Sequence, residues 1–212
     1  MLSFPAHQDQ VMRVIAGTHK GRRLTKPDGN IRPTSTRVRE ALFSILSPRI
    51  QGAGILDLYA GTGAFSLESL SRGASHAVCV EHHTGSLRIL RENVTRCGYD
   101  TQCRIISRKV ETYLSAPPSD DTPSVFDIIF ADPPYHTSDA APLLERLNRS
   151  GTVSARGVVI LEHFFKHHVP QTVGSLTQNR QVRYGDTMLT FFQHTAVTPE
   201  DIYANSRLPG HL

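Results

Sequence analysis

The run Asp57-Leu-Tyr-Ala-Gly61-Thr-Gly63 closes one short apolar stretch and opens an amphipathic one, and few folds accommodate that junction. Residues 54–59 have the continuous apolar character of a strand buried on both faces, and residues 62–72 have helical spacing. Glycines at such a joint let the backbone turn sharply and approach a ligand, while the helix start leaves amide groups free. The alternation then repeats. Strands are expected at 77–81, 103–106, 126–131 and 157–162, with helices over 86–97 and 142–147. That order implies an α/β chain with a parallel sheet covered on both faces. Near the end, segments 181–184 and 188–194 flank Gly185-Asp186-Thr187, too close for a crossover helix, so they form an antiparallel hairpin.

Ahead of this body lies a segment of different character. Residues 11–26 read as a hairpin turned by Gly17 and Gly21. From Thr36 onward Val38, Ala41, Leu42, Ile45 and Leu46 recur at helical spacing, between Pro33 before and Pro48 after. That stripe should bury against the body, leaving Arg37 and Arg39 on or near the exposed side. Between residues 13 and 39 stand eight cations, Arg13, Lys20, Arg22, Arg23, Lys26, Arg32, Arg37 and Arg39, against one acid, Asp28. The whole 212-residue chain carries a net charge of only +4, so the remainder is slightly acidic. A basic front on an acidic body is the footprint of a polyanion partner, with a solvated basic face as the alternative reading of the charge alone. The expected division is 1–48 as a basic hairpin-and-helix extension that would meet the polyanion, 49–196 as the αβ domain and 197–212 as a tail.

Several classes are disfavoured. No apolar run approaches the ~20 residues that span a bilayer. The start, Met1-Leu2-Ser3-Phe4-Pro5, has neither a basic nor a long apolar region typical of a secretory signal. Cys79, Cys97 and Cys103 form no C-x-x-C pair and are odd in number, which suits a reducing cytoplasm. His163, His167 and His168 fall at a strand end running into a loop, where their side chains do not converge, so no metal is expected. His136 reads as a solvated loop residue.

The chemistry-bearing residues cluster after the strands. The third position of a dinucleotide-type G-x-G-x-x-G turn holds Ser66, and Asp57 in the approach would repel a pyrophosphate but suit a cationic amino-acid ligand. Glu81 ends the second strand, where an acid can hold ribose hydroxyls. An adenosine with a ribose, a sulfonium and no phosphate, S-adenosylmethionine, meets these requirements. Asp132-Pro133-Pro134-Tyr135 follows the strand at 126–131 and should open beside the glycine turn. Two prolines make a rigid loop with few donors, leaving the Asp132 carboxylate and a backbone carbonyl to accept from an exocyclic amine. Tyr135 offers an aromatic face for a splayed-out base.

Taken together, these turns resemble the class I S-adenosylmethionine-dependent methyltransferases, whose Rossmann-like fold is a doubly wound, mostly parallel sheet, and D-P-P-Y is similar to their amino-methylating signature. More narrowly, Arg13-Val-Ile-Ala-Gly17 with Gly21-Arg-Arg-Leu24, Arg32-Pro-Thr34 with Arg37-Val-Arg-Glu-Ala-Leu-Phe43, and Tyr184-Gly-Asp-Thr187 resemble the RsmD family. The resemblance spans roughly residues 12 to 194. It implies methylation of guanine N2 in 16S ribosomal RNA, with Asp57, Tyr59, Gly61, Gly63, Glu81, Val110 and Asp132 lining the cofactor. Asp132, Pro133, Pro134 and Tyr135 would form the catalytic loop, and the eight front-end cations would bind RNA. The chain departs from the family pattern at His82-His83 and across residues 107–110, where no acid or amide is available to the adenine. An N6-adenine DNA methyltransferase and a non-catalytic RNA-binding assembly factor are the alternative readings.

Overall fold

The computed structural model describes residues 12–26, 36–116, 122–134 and 140–195. Its elements in chain order are α1 (Thr36–Ile50), β1 (Gly54–Leu58), α2 (Ala64–Ser71), β2 (His76–Glu81), α3 (Thr84–Cys97), β3 (Cys103–Ser107), α4 (Val110–Ser115), β4 (Phe126–Ala131), α5 (Ala141–Ser150), β5 (Val153–Phe164), β6 (Thr172–Val173), β7 (Leu176–Tyr184) and β8 (Thr187–His194). All five residues of β1 are buried, which requires neighbours on both edges and cover on both faces. The sheet order is β3-β2-β1-β4-β5-β8-β7-β6. The strands from β3 to β5 are parallel, and β8, β7 and β6 add antiparallel to the β5 edge.

Strand alternation divides the core. Ile55, Cys79, Ile128, Phe130, Ile160 and Phe191 face α1, α2 and α3, whereas Leu56, Leu58, Val80, Ile129, Leu161 and Phe192 face α4 and α5. On the first face the rings of Phe43, Phe65 and Phe130 stack at 5.2 and 4.4 Å, joining helix to helix to sheet. The chain leaves β1 for β2 on one side and returns to β4 on the other. The order therefore reverses between β1 and β4, and the crevice at their carboxyl ends is the ligand position of such sheets.

The expected α/β architecture, with its antiparallel closing hairpin, is present. The boundaries differ in places for physical reasons. Helix α1 runs through Pro48 to Ile50, because a proline in the last turn removes few backbone bonds and Ile50 is buried. Helix α4 has no signature in the sequence, because six residues are too short to show a period. Strand β7 begins at Leu176 rather than near 181, since the edge segment Thr177-Gln178-Asn179-Arg180 is polar yet pairs through its backbone with β8.

The front end is a narrow hairpin with one antiparallel bridge, Arg13 to Arg23, lying on α2 and α3. The Ser71 carbonyl accepts from the Thr18 amide at 2.8 Å, and Glu68 accepts from the amides of Ile15 and Ala16 at 2.6 and 3.0 Å. Arg39, expected near the exposed side, is instead buried. It borders the stripe of Val38 and Leu42, and the hairpin closes over that flank, so its Nη2 donates to the Arg13 carbonyl at 3.3 Å. Burial pulls its pKa down, partly offset by the charges of Glu68 and Glu40.

Candidate active site

At the end of β1 the chain turns through Tyr59, a non-glycine residue at φ 59°, then Gly61 at φ 57° and Gly63 at φ 77°. A side chain in this left-handed region costs roughly 1–2 kcal/mol, and such strain gathers at functional turns. The Tyr59 hydroxyl donates to Glu111 at 3.2 Å, anchoring the turn to α4. A Cβ at Gly63 would collide with Leu90, so glycine is required there for packing. At Gly61 an added Cβ would meet only the Tyr59 carbonyl oxygen, at 3.8 Å; the space above that backbone is open.

Three acids border the turn. Leu58 is in register with Val80 of β2 and Ala131 of β4, so Glu81 and Asp132 emerge on either side of it. Glu81 is almost enclosed. One oxygen accepts from the amides of His82 and His83 at 2.7 and 2.8 Å, and the other from the Gly61 amide at 3.0 Å. A carboxylate accepts about four bonds, so acceptor capacity remains for a hydroxyl. Asp57 lies beneath the turn, 2% exposed, and accepts from the Ser66 hydroxyl at 2.8 Å. Ser66 thus occupies the third glycine position as a tie between helix and strand, a partnership that the sequence marks only by the missing glycine.

Burial pushes Asp57 up to about 7, opposed by its bonds to Ser66 and reinforced by the charges of Asp132 and Glu81. Asp132 is also pushed up to about 7, by burial. Buried carboxylates, one of them raised further by the charges of its neighbours, form an environment that a cation relieves. The donor set fits S-adenosylmethionine, whose ammonium and sulfonium carry positive charge and whose ribose needs acceptors.

The structure places Val110 in the core, 2% exposed, so only its backbone reaches the carboxyl rim. The segment that leads into it borders Glu81: Glu81 is in register with Ser107, and the Arg108 amide donates to the Glu81 carbonyl at 3.1 Å. Pro133 and Pro134 follow β4 outside any strand. Tyr135, His136 and Arg32 lie outside the described residues. His163 is held by Thr190 at 2.8 Å and by the Phe164 carbonyl at 3.0 Å, and burial lowers its pKa.

The basic front end reaches the site only at its open end. The hairpin turn sits at the C-terminal ends of α2 and α3, where the Arg22 guanidinium donates to the Arg96 carbonyl at 2.9 Å. Lys20 shares that turn, away from the glycine loop. At the other end Asn93, fully buried, donates to the carbonyls of Thr25 and Thr62 at 3.0 Å each. It joins the front end to the glycine turn itself, a link with no local signature because its partners are far apart in sequence.

The family model described as conserved hypothetical protein 95 matches residues 12–193. The ribosomal RNA small subunit methyltransferase D of Escherichia coli K12 is 29% identical over 191 residues, 90% of this chain and 93% of that protein. The protein of the same name from Haemophilus influenzae is 30% identical over 154 residues, 71% of this chain and 78% of that one. A solved structure of a hypothetical protein of Thermus thermophilus superposes with a TM-score of 0.73 at 32% identity, covering 86% of this chain and 99% of that chain. The match runs from the front hairpin through the last strand, and it makes this chain a member of the conserved hypothetical protein 95 family, the RsmD-like methyltransferases.

Proposed function

We propose that this chain transfers a methyl group from S-adenosylmethionine to the exocyclic N2 amine of a guanine in small-subunit ribosomal RNA. The observation that carries the reading is the register of β1 with β4, which sets Asp132-Pro133-Pro134 directly beside the glycine turn and its acids. The names of the relatives from Escherichia coli and Haemophilus influenzae support the RNA class.

S-adenosylmethionine, when bound, supplies a methyl group already activated on a sulfonium, so the protein's work is alignment and electrostatics. Glu81 accepts from the ribose hydroxyls while its other oxygen keeps the rim in place. Asp57 and Asp132 provide negative potential toward the cationic ligand. The Asp132 carboxylate and the Pro133 carbonyl accept the N–H bonds of the amine and aim its nitrogen. With a pKa near 7, Asp132 is matched to taking up the proton that the amine releases, or passing it to water. Tyr135 stacks the base. Arg13, Lys20, Arg22, Arg23, Lys26, Arg32 and Arg37 serve as phosphate contacts, and Arg39, being buried, serves the packing of the front end instead.

We assign residues 1–48 to an RNA-contact extension, 49–196 to the methyl-transfer domain and 197–212 to a tail. The cytoplasm is the compartment we propose; its support is three buried cysteines with free thiols. The described residues contain no helix long and apolar enough to cross a membrane. The test is transfer of labelled methyl groups to small ribosomal subunits, naked ribosomal RNA and DNA in parallel, followed by mapping of the product base. Label on a guanine N2 of the small-subunit RNA is the expected result. Label confined to DNA, or absent from nucleic acid, would overturn the reading.

A further inference from the structure

The rim of the crevice opposite the basic front end carries its own cations. Leu161 of β5 is level with Ala131 of β4, and β5 continues three residues further, to Phe164. At ~3.3 Å per residue this raises the end of β5 about 10 Å above the start of the Asp132 loop. Phe164 is in register with Thr187, and Thr187 with Tyr184, so the tip of the β7–β8 hairpin stands at the same height. The Phe165 amide donates to the Asp186 carbonyl at 2.9 Å and fastens the two pieces together. They form a wall beside the catalytic loop, reaching to β7 at about three strand spacings, ~14 Å, from β4.

On this wall the Arg183 guanidinium lies over the Phe165 ring, 3.5 Å from its centroid, and its Nε donates to the Gly185 carbonyl at 2.7 Å. Arg183 is exposed, yet its plane is fixed on one side by the ring and along one edge by the carbonyl. The Lys166 ammonium approaches the same ring at 5.6 Å. The two cations therefore stand no more than about 9 Å apart, within a Debye length, and neither forms an ion pair with a carboxylate among the described residues. Asp186, at the tip, supplies one negative charge nearby through its side chain. Like charges converging on one ring are costly in isolation, and a polyanion removes that cost. A planar guanidinium held flat with its outer face in solvent is also a ready stacking surface for an unpaired base. Alternation along β7 puts Arg183 on the sheet face opposite Val182 and Tyr184, which pack on the α1 side; Arg183 thus shares the face of α5, to which the catalytic loop leads.

We infer that Arg183, with Phe165 beneath it and Lys166 beside it, is a second RNA contact, holding nucleotides that flank the target base on the side of the crevice away from the front end. The inference rests on the RNA reading above and adds a surface to it. Substrate RNA would then span the crevice between two cationic shores, with the base in the gap.

The test compares Arg183→Ala, Arg183→Lys, Lys166→Ala and, as a control on the other face of the sheet, Arg180→Ala. Each is measured for affinity to small-subunit ribosomal RNA across a salt series, for KM and kcat of methyl transfer to small subunits, for S-adenosylmethionine affinity and for Tm. Arg183→Ala should weaken RNA binding by about tenfold, the scale of one lost stacking partner, and raise the KM for RNA by a similar factor with unchanged cofactor affinity and Tm. Arg183→Lys should keep the salt slope but recover only part of the affinity, because the charge remains and the plane is lost. Lys166→Ala should flatten the salt slope. Arg180→Ala should match wild type. If wild type methylates ribosomal RNA and Arg183→Ala and Lys166→Ala bind it with unchanged affinity and KM, the second contact is wrong and the function stands. If wild type transfers no methyl group to RNA, both fall. Should Arg183→Ala lower the Tm, Lys166→Ala and Arg183→Lys decide the matter.

Discussion

The Gly61 amide donates to the Glu81 carboxylate at 3.0 Å, so the glycine turn after β1 and the acid ending β2 form one unit. The same carboxylate gathers the amides of His82 and His83. Removing it would release three amides and the acceptor for the ribose together. Glu81→Ala should weaken S-adenosylmethionine binding by about 1–3 kcal/mol, the scale for a lost bond to a charged group. Calorimetry checks this, and an unchanged dissociation constant would take Glu81 away from the ligand.

Asp132→Ala removes the acceptor that aims the amine but leaves the glycine turn and Glu81 in place. Single-turnover methyl transfer at saturating S-adenosylmethionine should fall by at least ~100-fold, while cofactor affinity falls only by the loss of one nearby negative charge. Near-normal turnover would exclude this loop from the chemistry.

The raised carboxylates give two linked pH effects. Asp57 and Asp132 titrate near 7 in the folded chain, against an ordinary 3.8. The folded state therefore binds more protons than the unfolded chain between those values. The corresponding stability is fully present below the lower value and is lost as pH rises through about 7. A cationic ligand acts in the opposite direction, favouring the ionised carboxylates, so its affinity should rise with pH through the same region with release of protons. Calorimetry in buffers of different ionisation enthalpy measures that release. S-adenosylhomocysteine, which lacks the sulfonium charge, should show a smaller effect. Equal pH profiles for the two ligands would contradict the electrostatic role.

Gly17 adopts φ 83° where the hairpin meets α2, and a Cβ there would collide with the Ser71 carbonyl. Gly17→Ala should cost more than about 2 kcal/mol of stability, because the backbone region and the contact both oppose it. Denaturant unfolding reads the loss. A neutral result would mean that the hairpin does not depend on this docking.

Changing Arg22, Arg23 and Lys26 together to Ala should weaken RNA binding across sequences and flatten the salt slope by up to roughly three phosphate contacts. Cofactor affinity should hold. A small drop in Tm is expected as well, because Arg22 caps the Arg96 carbonyl at the end of α3. Unaltered affinity and slope would reduce the front-end charge to a solvated face.

The alternation of apolar strands with helices, the glycine turn after β1 and the proline loop after β4 are local signals. They depend on neighbours within a few residues, so the chain alone determined the parallel αβ body and the identities of Asp57, Gly61, Gly63, Glu81 and Asp132 as residues at strand ends. What the chain alone left open was every relation between distant segments. Arg39 looks like one more cation of a basic front until the hairpin folds over it, because burial is a property of what packs above a residue. Ser66 reads as a missing glycine until Asp57 is found beneath it. Asn93 carries no motif, yet it bonds both Thr25 and Thr62. Lys20 and Arg22 count toward the charge of the front end, but only the docking of Gly17 against Ser71 turns them away from the crevice. Local propensity reaches only as far as neighbouring turns of backbone, whereas desolvation, hydrogen-bond partners and the meeting of cations on one ring are set by the close packing of surfaces far apart in sequence, and those the tertiary structure alone decided.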